Sequence, residues 1–185
     1  MLGSFEKETE LIVEFMQYRK HYKAFEESEK IKVFVDFEKC DEIGKFVYNK
    51  EKSSLGFPDH ANALLSIGIG FAGIEIDPVE KRVIGVKGLL PRSIWLKKRL
   101  KTPNTFKGTL KVRAEGVDIR NKTYIQVCKQ EDTFYDENTG WICIGERKVY
   151  DFDDCIEFLS GAILVLRDNK IISLWINVGV DLPLY

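Results

Sequence analysis

Residues 161 to 178 constrain the fold more than any other stretch: Gly161-Ala162-Ile163-Leu164-Val165-Leu166, then Arg167-Asp168-Asn169-Lys170, then Ile171 through Val178. Two apolar, β-prone runs flank an Asp-Asn pair, and both of those residues tolerate positive φ. The pattern predicts a two-residue β-hairpin with Leu166 opposite Ile171. Directly facing residues share a face of the sheet. That register puts Ile163, Val165, Ile172, Leu174 and Ile176 on one aliphatic face. Ala162, Leu164, Leu166, Ile171, Ser173, Trp175 and Asn177 fall on the other. The mixed face needs a cover, from a helix of the same chain or from a partner.

A chain of 185 residues can bury a core without disulfides or metals, and residues 1–185 are expected to form a single α+β domain. With 44% apolar and 31% charged residues, the composition argues against disorder and against membrane residence. A net charge of −1 provides no global field toward nucleic acid or anionic lipid. The N-terminus, Met1-Leu2-Gly3-Ser4-Phe5-Glu6-Lys7-Glu8, lacks a basic segment before an apolar run, so no signal peptide is expected. Cys40, Cys128, Cys143 and Cys155 show no C-x-x-C spacing and read as small buried hydrophobes. Cys128 and Cys143 fall in neighbouring predicted strands. A cytoplasmic location is expected.

Along the chain, Leu11, Phe15, Tyr18, Tyr22 and Phe25 predict an amphipathic helix over 5–27, the natural cover for the Trp175 face. Residues 30–38 alternate as a strand, 41–48 suggest a short helix, and 49–60 read as a long loop. Residues 64–76 and 82–87 read as strands joined at Asp77-Pro78. Pro91–Lys101 reads as a second helix with Pro91 in its first turn. Three further strands are expected at 109–115, 123–130 and 141–147, with an acidic loop over 131–140. The resulting fold class is α+β: one mostly antiparallel, curved sheet of about six to eight strands, with the two helices packed on it.

No catalytic motif emerges. Gly68-Ile69-Gly70-Phe71-Ala72-Gly73 matches G-x-G-x-x-G, but a strand follows where a dinucleotide site requires a helix. The two histidines, His21 and His60, lack metal-ligand spacing, and no metal or cofactor is expected. A Cys-His pair of His60 with Cys40 or Cys155 remains as a spatial alternative. The cations of Lys97-Lys98-Arg99-Leu100-Lys101 read as the last turn of the predicted helix rather than as a nucleic-acid surface. More telling are two acidic clusters. Glu131, Asp132, Asp136 and Glu137 surround Phe134 and Tyr135, and Asp151, Asp153, Asp154 and Glu157 follow. Together these residues predict a surface that docks a basic protein partner, since charge complementarity speeds encounter and aromatic anchors carry affinity.

The run Asp154-Cys155-Ile156-Glu157-Phe158-Leu159-Ser160-Gly161-Ala162-Ile163, followed by Lys170-Ile171-Ile172-Ser173-Leu174-Trp175-Ile176, resembles the closing strands of small bacterial immunity proteins. Those families neutralise toxins in polymorphic-toxin and contact-dependent inhibition systems. The resemblance covers about the last 30 residues, is a strand pattern, and transfers no functional residue. It implies a non-enzymatic cytoplasmic binder that occludes a toxin's active site. The chain departs from the strongly acidic character of many nuclease inhibitors. A second expectation is a small-ligand domain or enzyme with a site near Gly68–Gly73, His60 and Trp95.

Overall fold

The computed structural model describes residues 31–56, 65–116, 118, 124–128 and 132–179. In chain order its strands are β1 (Lys32–Lys39), β2 (Gly44–Lys45), β3 (Val47–Asn49), β4 (Ser54–Gly56), β5 (Leu65–Ile69), β6 (Ala72–Ile76) and β7 (Val83–Leu89). They continue as β8 (Trp95–Lys97), β9 (Phe106–Glu115), β10 (Tyr124–Cys128), β11 (Thr133–Asp136), β12 (Trp141–Gly145), β13 (Asp154–Ser160), β14 (Ala162–Arg167) and β15 (Lys170–Asn177).

The α+β expectation is corrected. Among the described residues there is no α-helix, only one 3₁₀ turn at Arg92–Ile94. Nor is there a single sheet of six to eight strands. One sheet has nine strands in the order β1-β9-β13-β14-β15-β12-β11-β8, with β2 also paired to β13. The other has six, in the order β10-β5-β6-β7-β4-β3. The predicted helix over 5–27 lies outside the described residues.

The predicted helix over 91–101 is replaced by the 3₁₀ turn and β8, which pairs in parallel with β11 from Trp95↔Thr133 to Lys97↔Tyr135. Its two large apolar groups serve different cores. Trp95 packs between the sheets, whereas Leu100 is buried on the outer side of the nine-stranded sheet. An extended segment passing over a sheet edge can supply both sides; one helix face cannot. The expected helix over 41–48 is likewise replaced by β2 and β3. The expected loop over 49–60 contains β4, whose Leu55 is buried. Residues 64–76 are no single strand either. The chain reverses at Gly70, at φ 59°, so that Gly68 pairs with Gly73 across β5 and β6. The glycine motif is therefore a hairpin.

The main core lies between the sheets. Leu65, Ile67, Ile74 and Ile76 of the smaller sheet meet Leu110, Ile142, Leu164, Leu174 and Ile176 of the larger. These side chains are almost completely removed from water, each contributing about 1.5–3 kcal/mol of transfer free energy. Strand β9 links the two sheets. It pairs with β1, touches β13 at Phe106 and Lys107, and bridges to the smaller sheet at Lys111↔Arg82.

The closing hairpin forms as its turn residues dictate: Asp168 and Asn169 adopt φ of 51° and 60°, and Leu166 faces Ile171. Beyond that pair the register shifts. Val165 faces Ser173, Leu164 faces Leu174, and Ile163 faces Trp175, leaving Ile172 as an inserted bulge residue. A one-residue slip reverses every face beyond it. Ala162, Leu164, Leu166, Leu174 and Ile176 therefore point into the main core. Ile163, Val165 and Trp175 join Leu100, Cys143 and Cys155 in a second cluster on the outer face. Both faces are buried. Trp175 is fully covered and its Nε1 donates to Ser173 Oγ at 3.0 Å, so it offers no partner surface.

Candidate functional site

The second cluster carries the most distinctive surface. Gly145, at φ +106° and close against Ile172 O, turns the chain out of β12, and Glu146 N donates to Ile172 O at 3.3 Å. The segment from Glu146 to Asp153 then runs across the outer side and buries part of Val149 against the cluster. Asp153 closes it: its Oδ2 accepts from Tyr150 N at 2.9 Å, and its own N donates to Tyr150 O at 3.0 Å.

Arg167, the last residue of β14, locks this segment in place. Its Nε and Nη2 donate to the two carboxylate oxygens of Asp153 at 2.8 and 3.0 Å, and its Nη1 and Nη2 reach Glu146 at 3.2 and 3.4 Å. Fork-to-fork pairing of this kind fixes orientation as well as charge. The Asp153 side chain is fully buried, and the Arg167 hydrogen bonds hold its carboxyl below the usual carboxylate range; the Tyr150 N–H adds to this while burial opposes it. Asp153, followed by Glu146, raises the Arg167 guanidinium, which stays charged throughout. Above it the Tyr150 and Phe152 rings stack, 5.1 Å between centroids and 9° apart in plane. The guanidinium lies 5.1 Å from the first ring and 5.5 Å from the second. Phe152 is 69% exposed. Lys148 sits over Tyr150 at 4.6 Å, and Arg147 over the half-buried Phe134 at 5.5 Å.

The residues expected to dock a partner are dispersed among different roles. Glu131 lies outside the described residues. The stretch expected as an acidic loop contains β11, so Tyr135 and Asp136 are buried. Tyr135 packs on Trp95 at 4.7 Å between the sheets. Asp136 accepts from Leu100 N at 2.8 Å and Asn138 N at 3.0 Å, and the Leu100 N–H is the main reason its carboxyl is held down. Tyr135, Asp136 and the Asp153 side chain are thus buried in internal contacts. Glu137 is exposed but paired with Lys97 at 2.8 Å. Asp132, Asp151 and Asp154 are exposed. Asp154 faces Leu166 in register and so shares the inter-sheet side rather than the Phe152 side. Of the expected residues, Asp153 lies beneath the stacked pair through Arg167 and Tyr150 N, Asp151 lies between the two rings in sequence, and Phe134 lies under Arg147.

Tyr150, Phe152, Arg167, Arg147 and Lys148 were missed by sequence reasoning. The Tyr-x-Phe alternation beyond a strand end was the available signal, but the arginine that holds it comes from another hairpin.

The second expected site divides as well. Gly68 and Gly73 belong to the smaller sheet, Trp95 to the edge of the larger, and His60 lies outside the described residues. Beside the glycine pair, Ser66 Oγ donates to the buried Glu75. Trp95 Nε1 and Thr133 Oγ1 are buried polar atoms without a hydrogen-bond partner among the described residues. Cys143 is a buried thiol on β12 and Cys128 belongs to β10 in the other sheet, so the two do not sit on neighbouring strands. Among the described residues no group of three His, Cys, Asp or Glu side chains could hold a metal, and no helix is long and apolar enough to cross a membrane. The chain matches no family model, and a search of the curated proteins returns no match.

Proposed function

We propose that this chain is a non-enzymatic binding protein whose docking surface is the outer face of the nine-stranded sheet, centred on Phe152. The carrying observation is the exposed Phe152 ring held on Tyr150 by an arginine that two carboxylates fix from below. An exposed aromatic on a preorganised support loses little conformational freedom on binding, which is what an interface hot spot requires. The resemblance of the closing strands to immunity proteins gives the biological form of this reading: a cytoplasmic protein that neutralises a toxin by covering it. Co-expression with a candidate toxin domain tests it. Wild type restores growth, whereas Tyr150→Ala/Phe152→Ala, folded by circular dichroism, does not. Rescue by the double variant removes this surface from the interface.

A second reading, a small-ligand site near Trp95, is favoured by the two unsatisfied buried groups, Trp95 Nε1 and Thr133 Oγ1. Thr133→Val tests it. A native-like Tm together with unchanged ligand-screen shifts would leave that site without support.

A further inference from the structure

We infer that the partner of the Phe152 surface is an acidic protein segment carrying an aromatic or apolar side chain. This rests on the reading of that face as a docking surface and reverses the sign expected from sequence. Folding consumes the acids. Asp136 and Asp153 are buried and hydrogen-bonded, Glu146 is committed to Arg167, Glu137 to Lys97, and Asp154 lies on the other side of the sheet.

The same folding gathers cations. Lys98, Arg99 and Lys101 flank Leu100, which is anchored in the outer cluster, and Arg147 and Lys148 flank that cluster through Val149. All five are exposed, and none forms an ion pair among the described residues. Two basic runs more than forty positions apart in sequence thus border one aromatic-centred face, against the exposed carboxylates of Asp132 and Asp151. Arg147 and Lys148 already lie over Phe134 and Tyr150, so an incoming carboxylate meets cations beside aromatic rings. Such a border steers an acidic partner and rejects a basic one. The exposed Phe152 supplies the apolar contact that pure charge lacks.

Fluorescence anisotropy at low ionic strength tests this with four labelled probes: poly-glutamate, a glutamate–tyrosine copolymer, poly-lysine and oligo-dT. Wild type binds the copolymer most tightly, and the affinity falls as salt rises. In Lys98→Glu/Arg99→Glu/Arg147→Glu/Lys148→Glu, copolymer binding falls about tenfold or more, with circular dichroism confirming the fold. In Phe152→Ala the copolymer loses its advantage over poly-glutamate. No binding of either acidic polymer, equal binding by the charge-reversed variant, or preference for poly-lysine overturns the acidic partner. Tighter binding of oligo-dT than of the copolymer overturns it in favour of a nucleic acid. Retention of the copolymer's advantage in Phe152→Ala instead overturns the docking reading while leaving the sign of the charge in place.

Discussion

Asp136 and Asp153 do the same physical work at two places: each buries a carboxylate to hold an extended segment against the outer cluster. Asp136 satisfies Leu100 N, joining the Lys98 N bond to Tyr135 O in holding the 98–101 stretch at the sheet edge. Replacing Asp136 with Ala strands that buried N–H and is expected to cost about 1–3 kcal/mol in urea unfolding at pH 7. Both carboxyls are held below their ordinary value of 3.8 in the folded chain. Their stabilisation is therefore complete above that value and is lost as pH falls through the lower, folded one. Repeating the Asp136→Ala comparison at pH 2–3 should show the gap to wild type narrowing. A pH-independent gap would show that the carboxylate charge contributes nothing. The cysteines give a second residue-scale expectation. Burial, with Asp153 and Asp154 adding to it, pushes the Cys155 thiol up to about 11, and Cys143 is buried, whereas Cys40 is half-buried at the surface. Iodoacetamide at pH 8 should alkylate Cys40 well before Cys143 and Cys155, as peptide mass spectrometry would show.

At the scale of the element, the β14–β15 hairpin shows what local chemistry can specify. The Asp168-Asn169 turn and the first cross-strand pair follow from two residues that accept positive φ. The faces do not follow, because both sides of the hairpin are apolar and the pattern carries no alternation to set the register. The bulge at Ile172 resolves that ambiguity where β12 arrives: Gly145 pairs with Ser173, and Glu146 N binds Ile172 O. The turn is also a latch. Asn169 O accepts from Val35 N at 2.7 Å, while Asn169 Nδ2 donates to Val35 O at 3.1 Å and to Asp36 Oδ1 at 3.0 Å. Asn169→Gly preserves the turn conformation yet removes the side-chain bonds to β1, so thermal unfolding should register a loss of about 1 kcal/mol. A Tm equal to or above wild type would show that the turn alone sets stability there. Strand β11 shows the opposite failure of local reading. Thr133-Phe134-Tyr135-Asp136 sits between acidic residues and reads as loop, but its alternation sends Thr133 and Tyr135 inward and Phe134 outward. Hydrophilic flanks hid a strand.

Across the whole molecule, two sheets share one core and a second cluster lies outside it. Strand β9 crosses between the sheets, with Val112 N bound to Lys81 O at 2.8 Å. Gly73 meets its neighbour equally closely: a Cβ there would lie 2.6 Å from the backbone oxygen of Ile67. Gly73→Ala should therefore destabilise by about 1–3 kcal/mol, since backbone cannot yield as a side chain can. Because the core is common to both sheets, that loss should appear as one cooperative transition. Tryptophan fluorescence, which reports the larger sheet, and far-UV circular dichroism should unfold coincidently. Separated transitions would show that the sheets melt independently.

By itself the sequence determined what local sterics and turn chemistry determine: strands β1, β7, β9, β10, β12, β14 and β15, the closing turn, the Asp77 reversal, and a strand rather than a helix after the glycine motif. The tertiary structure alone decided the rest, for one reason. Long-range pairing allocates each apolar face and each charge, and a single chain carries no record of which distant group will meet it. Trp95 and Leu100 both fall within the helix expected over 91–101, but two cores divide them. Asp136 and Asp153 read as a solvent-facing acid patch until Leu100 N and Arg167 took them inside. The basic runs 98–101 and 147–148, far apart in sequence, meet only through Leu100 and Val149, which the outer cluster takes in together.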